Sequence, residues 1–312
     1  MQIRENIWAF KYAPSSIDQM IGTKQLKDFG NNLVKEGQIP NLLLVGPPGI
    51  GKTTLAKLLV ESIGADYTIL NASLKGNIDT LRNEISQFAS TVSFSGGKKY
   101  IILDEADYLN QQSTQPALRN FIDTYSKNCG FILTANYANK IIEPLQDRLQ
   151  VEKFEFSKKD VPLLAKQAVE AVEKILIAEE VEYDKKAIAT YVIGNVPSWR
   201  KIVNSVQKAA NTSHYVGENL LTNSVDVAIE KLVTSLKAKD YSACRQWVAD
   251  HVDNDVSTMF TSLEALIEQA KPQSRPHLIM LLAQYQYQAA FVADQEINLA
   301  AFCAEVMVES LL

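Results

Sequence analysis

Gly46-Pro47-Pro48-Gly49-Ile50-Gly51-Lys52-Thr53 is a complete phosphate-binding loop, flanked as such a loop requires. Leu42-Leu43-Leu44-Val45 before it is a short unbroken apolar run, typical of a central parallel strand. Thr54-Leu55-Ala56-Lys57-Leu58-Leu59-Val60 after it reads as a helix. Glycines let successive backbone N–H groups turn inward around an anion, and the helix N-terminus adds its positive dipole. Gly49, Ile50, Gly51, Lys52, Thr53 and Thr54 are therefore expected to hold a nucleoside triphosphate. Within that set Lys52 reaches the β- and γ-phosphates, and the Thr53 hydroxyl is placed to ligate Mg²⁺.

The surrounding pattern extends this unit into a sheet. Strand candidates recur at Tyr67–Leu70, Tyr100–Leu103, Phe131–Thr134 and Val151–Phe154, with helices such as 78–89 and 113–125 between them. Alternation of this kind predicts an α/β fold, a doubly wound parallel sheet with its active face at the carboxyl ends of the strands. From Ser157 onward strands are expected to disappear. Helices over 158–178, 184–192 and 198–210 suggest a small helical lid, and a turn-rich patch at 212–223 precedes a further helical block. The domain expectation is a nucleotide-binding core over 1–156, a lid over 157–222 and an all-helical domain over 223–312. The last helix, 296–312, is apolar on nearly every side and so is expected to be buried, internally or against a neighbouring subunit.

Composition excludes several classes. The stretch 276–293 lacks charge but carries Gln284, Gln286 and Gln288, so it reads as a buried helix and no membrane association is expected. Three scattered cysteines and three scattered histidines show no metal-ligand spacing and suit a reducing, cytoplasmic setting, the host cytoplasm if the source is viral. Residues 1–155 carry 16 basic and 16 acidic side chains and residues 156–312 carry 15 and 20, so the net charge of −5 lies wholly in the second half. That balance argues against coating nucleic acid by bulk electrostatics, though not against a local contact surface.

Ile101-Ile102-Leu103-Asp104-Glu105-Ala106-Asp107 is an apolar strand that ends in two carboxylates. Asp104 is placed to hold Mg²⁺, and Glu105 to orient and deprotonate an attacking water. Asp107 is expected to be a solvated cap on the following helix. One strand further on, Asn136 can sense a γ-phosphate by hydrogen bonding. Arg148 and Arg200 are isolated cations that would ordinarily be surface residues; guanidinium groups at a γ-phosphate can be worth ~10³–10⁵ in rate.

Together these residues resemble the AAA+ ATPases, which have a RecA-like sheet, and specifically the ATPase subunits of sliding-clamp loaders: replication factor C small subunits and T-even-phage loader large subunits. The resemblance runs from Trp8-Ala9-Phe10-Lys11-Tyr12-Ala13-Pro14 through Gln19-Met20-Ile21-Gly22, the phosphate loop, Leu70–Gly76, Gln115-Pro116-Ala117-Leu118-Arg119 and Thr134–Arg148. It implies that Lys11, Tyr12 and Ile21 line an adenine pocket for ATP and that Arg200 is a lid arginine on the phosphates. Arg148 would be a finger inserted into the adjacent subunit's site, with Gln115 a coupling residue and Lys75 a DNA-phosphate contact. The helical tail fits the family's oligomerising collar in length and content.

The implied partners are identical or related ATPase subunits and one distinct loader subunit in a ring-like, pentameric assembly, together with a sliding clamp and primer–template DNA. ATP binding would open the clamp and hydrolysis would release it. Departures exist: Asp147-Arg148-Leu149 stands where the family has Ser-Arg-Cys, and Ala13 replaces an arginine. The alternative is an AAA+ protein-remodelling chaperone or unfoldase. Such proteins carry an aromatic pore loop where this chain has Leu74-Lys75-Gly76-Asn77.

Overall fold

A computed structural model describes residues 6–73, 78–91, 93, 97–217, 219–220, 225–251, 259–260 and 263–312. The chain divides into two compact units, Met1–Val216 and Gly217–Leu312.

In the first unit five strands form one parallel sheet: β1 (Leu42–Val45), β2 (Tyr67–Asn71), β3 (Lys99–Asp104), β4 (Cys129–Ala135) and β5 (Gln150–Lys153), in the order β2-β3-β4-β1-β5. β1 and β4 are buried at every position, which is why their sequences are continuous apolar runs rather than alternating ones. α1 (Trp8–Lys11) precedes the sheet, around which run α2 (Lys24–Glu36), α3 (Lys52–Ser62), α4 (Ile78–Ser90), α5 (Thr114–Tyr125) and α6 (Glu143–Gln146).

Side chains of successive strand residues point to opposite faces, so the sheet builds two cores. Leu43, Ile101, Leu103 and Leu133 pack with Leu81 and Ile85 of α4 and Leu118 and Ile122 of α5. Leu42, Leu44, Ile102 and Ile132 pack with Leu55, Leu58 and Leu59 of α3 and Leu26 and Leu33 of α2. Each such buried Leu or Ile contributes about 1.5–3 kcal/mol of transfer free energy. α2 has defined ends: the Thr23 side chain accepts from Leu26 N–H at 3.3 Å, and Gly37 closes it in the left-handed region.

α7 (Val161–Ala178), α8 (Lys185–Asn195) and α9 (Trp199–Ser213), the helices expected to form a lid, belong to the first unit. Two sequence expectations need correction here. Strands do not vanish after Ser157, because β6 (Glu182–Tyr183) and β7 (Tyr215–Val216) pair in parallel and fasten the end of α9 to the turn after α7. Two-residue strands leave no readable periodicity. The helix expected from Lys158 starts at Val161 instead, because Ser157 N–H and Oγ both donate to Asp160 Oδ2, at 2.8 and 2.6 Å, and hold a turn there.

The second unit contains α10 (Val225–Lys237), α11 (Tyr241–His251), α12 (Ala265–Gln269), α13 (Arg275–Ala289) and α14 (Gln295–Val308) around its own core, with Trp247, Leu266, Leu282, Phe302 and Val306 among its members. α14 is capped by Asp294, whose Oδ1 accepts from Glu296 and Ile297 N–H. Leu299, Phe302, Cys303, Val306 and Met307 are buried, yet Ile297 and Val308 are exposed, so burial on every side does not hold within this unit. Likewise α13 exposes Met280 and Tyr287. No helix among the described residues is long and apolar enough to cross a membrane.

Candidate nucleotide site

Register sets the site. Val45 pairs with Ala135, so Gly46 and Asn136 leave adjacent strands side by side, and Gly46 N–H donates to Ala135 O at 3.2 Å. Leu103 pairs with Leu133, which brings Asp104 alongside Thr134. The carboxyl ends of β1, β3 and β4 therefore converge, where a doubly wound sheet binds ligands.

Gly46 adopts φ +154°, and a Cβ there would lie 2.8 Å from both Ile50 Cδ1 and Phe154 Cβ. Only glycine fits. Gly49, at φ +78°, is approached by the lid: a Cβ would lie 3.1 Å from Ser198 Oγ and 3.3 Å from Arg200 Cβ. Arg200 N–H donates to Gly49 O at 3.3 Å, so the first turn of α9 rests on the phosphate loop. Ile50 is buried, and Gly51, Thr53 and Thr54 are half-buried at the start of α3.

Lys52 is 7% exposed, and its Nζ donates to Gly46 O (2.6 Å), Pro47 O (2.8 Å) and Asn136 Oδ1 (3.0 Å). Burial pushes its pKa down to about 8, against the pull of Asp104 and Asp107 and with a smaller push from Arg200. An ammonium so placed is short of negative charge, which a phosphate supplies.

Thr53 Oγ1 donates to Asp104 Oδ1 at 2.6 Å, and Thr134 Oγ1 donates to the same oxygen at 2.6 Å. Glu105 N–H donates to Thr134 Oγ1 at 3.1 Å. One hydroxyl thus orients both acidic residues. Glu105 itself sits at φ +58°, a left-handed conformation costing of order 1–3 kcal/mol that its neighbours must hold. Asp107 corrects the sequence expectation: it is 8% exposed rather than solvated, and neither carboxylate oxygen has a partner among the described residues.

The N-terminal segment is pinned to the lid. Lys11 Nζ meets Glu179 Oε1 at 2.7 Å, and Tyr12 OH donates to the same oxygen at 2.6 Å. These two donors hold the Glu179 carboxyl below its ordinary range, the lysine more strongly. Gln167 of α7 accepts from Gly22 N–H and donates to Gly22 O, both at 3.2 Å, fixing the backbone beside half-buried Ile21. Gln207 of α9 accepts from Trp8 N–H and donates to Asn6 O.

Gln115 is fully buried at the start of α5. Its Nε2 donates to Leu109 O (3.0 Å) and Lys140 O (2.8 Å), and its Oε1 accepts from Ile142 N–H (2.8 Å). It joins the turn after Glu105 to the segment leading to Arg148. The side chain of Arg148 bonds to Asp123 of α5 and to Pro144 O, not to the phosphate loop of its own chain. Lys75 lies outside the described residues.

Thr134, Gln167, Asp123 and Glu179 were not singled out by sequence reasoning. Thr134 carried a readable signal, since it stands one strand over from Asp104 in the same tripeptide as Asn136. Asp123, Gln167 and Glu179 look like ordinary helix-surface residues until the fold brings their partners near. As a metal donor set, the Thr53 hydroxyl and Asp104 carboxylate suit Mg²⁺, which takes one or two protein oxygens and completes its shell with phosphate and water.

Residues 42–156 match the ATPase family associated with various cellular activities (AAA). The sliding-clamp-loader large subunit of Enterobacteria phage T4 is 32% identical over 303 residues, covering 95% of this chain and 94% of that protein. The replication factor C small subunit of Saccharolobus solfataricus is 38% identical over 215 residues, covering 67% and 63% respectively. In fold, the Holliday junction branch migration motor RuvB of Thermotoga maritima superposes with a TM-score of 0.55 at 16% identity, over 72% of this chain and 79% of that one. A phosphate loop, paired carboxylates and a lid that closes on the loop, with near-full-length similarity to the phage subunit, assign the chain to the AAA ATPases of the sliding-clamp-loader family.

Proposed function

We propose that this chain is the ATP-hydrolysing motor subunit of a sliding-clamp loader. ATP lies on the phosphate loop, with Lys52 on its β- and γ-phosphates and its adenine near Lys11, Tyr12 and Ile21. Thr53 and Asp104 hold Mg²⁺, which would neutralise charge on the phosphates. Glu105 orients and deprotonates the attacking water, Asn136 reads the γ-phosphate, and Arg200 contacts it from the lid. Arg148 serves the site of a neighbouring protomer, so turnover requires assembly. Several copies with one distinct subunit, five in all, would open the clamp when ATP-bound and release it on primer–template DNA after hydrolysis. DNA is tracked through its phosphates, with Lys75 one contact.

The observation that carries this reading is the Thr53–Asp104–Thr134–Glu105 array beside Lys52, with Arg148 directed to another part of the surface. An inert, nucleotide-gated scaffold has no physical need of an oriented Glu105. The test is steady-state ATP hydrolysis by the assembled complex, with and without clamp and primed DNA. Stimulation by both is expected; indifference to both, or stimulation by unfolded protein instead, overturns the assignment.

A further inference from the structure

Arg148 is held by two groups of its own chain. Its Nε faces both carboxylate oxygens of Asp123 at 2.9 Å, and its Nη1 donates to Pro144 O at 2.8 Å. Nη2 carries no hydrogen bond among the described residues. Asp123 therefore takes Nε and Pro144 O takes Nη1, which leaves Nη2 for another oxyanion such as a phosphate.

The support behind Asp123 is rigid. It lies on α5 eight residues beyond Gln115, about 12 Å along the helix axis. At the near end Gln115 grips Lys140 O and Ile142 N–H; at the far end Asp123 grips the Arg148 side chain. Within the segment Gln146 Nε2 donates to Ala138 O and Ile141 O, and Arg148 N–H donates to Leu145 O, so 138–148 is braced internally as well as tied to α5 at both ends. A long side chain that is one-third exposed would otherwise sample many rotamers, and fixing it beforehand removes that entropy from the barrier.

We propose that Asp123 is a positioning residue for catalysis: it pre-orients the Arg148 guanidinium on one protomer so that its Nη2 meets the triphosphate of the next. The inference rests on the trans-acting role given to Arg148 above. An exposed ion pair of this kind adds little to folding stability, so its removal should appear in turnover rather than in the melting temperature.

The experiment uses the assembled loader with clamp and primed DNA. Asp123→Asn and Asp123→Ala are each expected to lower kcat about tenfold, short of the ~10³-fold loss expected for Arg148→Ala. KM for ATP, the affinity for a non-hydrolysable ATP analogue, the mass of the complex and the melting temperature should stay unchanged. Asp123→Glu, which restores the charge, should recover part of kcat. In single-turnover measurements the double variant Asp123→Ala/Arg148→Ala should be no slower than Arg148→Ala alone. Unchanged or faster turnover in the Asp123 variants overturns the proposal, as does an Asp123 effect of equal size without Arg148. An Arg148→Ala complex with full kcat removes the trans-acting reading itself, a result separable from a silent Asp123.

Discussion

In the role proposed for it, the buried cation Lys52 would couple nucleotide binding to pH. Its pKa in the folded, nucleotide-free protein is about 8, below the ordinary lysine value of 10.5, because burial disfavours the charged form. Between those values the unfolded chain binds more protons at this position, so Lys52 makes the nucleotide-free protein gain stability as pH rises from about 8 to 10.5. A triphosphate on the phosphate loop is expected to reverse the preference and re-protonate the amine. ATP affinity should therefore fall as pH rises through about 8, and calorimetry at pH 8.5 in two buffers of different ionisation enthalpy should show uptake of a fraction of a proton. The role proposed for Glu105 would separate binding from chemistry: Glu105→Gln should keep ATP-dependent assembly, measured by native mass, while steady-state turnover disappears. Loss of assembly with turnover kept would reverse the assigned role. Gly46→Ala should abolish ATP binding, because its methyl would need the space of Ile50 and Phe154 at a φ that disfavours it.

At the scale of elements, α5 joins the acidic end of β3 to the segment bearing Arg148. Gln115 satisfies two carbonyls and one N–H with a single buried amide, so Gln115→Ala leaves Leu109 O and Ile142 N–H without their partner, while Lys140 O keeps the Gln111 amide. A loss of about 2–3 kcal/mol of stability is expected by urea unfolding, together with reduced stimulation of ATPase activity by DNA. A substitution that lowers stability without touching DNA stimulation would make Gln115 a purely structural residue. α7 and its C-terminal cap play a parallel part on the other side, since Gln167 and Glu179 fasten Gly22, Lys11 and Tyr12 to this helix.

At the scale of the molecule, every residue given a role at the nucleotide lies within Met1–Val216, and Gly217–Leu312 has a hydrophobic core of its own. A chain truncated after Val216 should bind ATP with the affinity of the full chain by titration calorimetry, yet fail to form the hetero-oligomer. Weaker ATP binding by the truncated chain would mean that the second unit contributes to the pocket. The exposed apolar side chains of α13 and α14, Met280 and Ile297 among them, are surfaces that assembly can cover.

The sequence by itself was enough for the phosphate loop, the five strands, the Asp104–Glu105 pair and the helical character beyond Ser157, because each is written locally in apolar periodicity, in glycines where φ is positive, or in charge at a strand end. Tertiary structure alone decided that Asp107 is buried, that Thr134 holds the Asp104 carboxylate and the Glu105 backbone N–H, that Glu179 holds Lys11 and Tyr12, and that Asp123 holds Arg148. Those partners lie between 25 and 168 positions apart in the chain. No local pattern encodes a meeting over such a span, because strand register and helix docking, which bring the groups together, are settled only by burying the whole core at once.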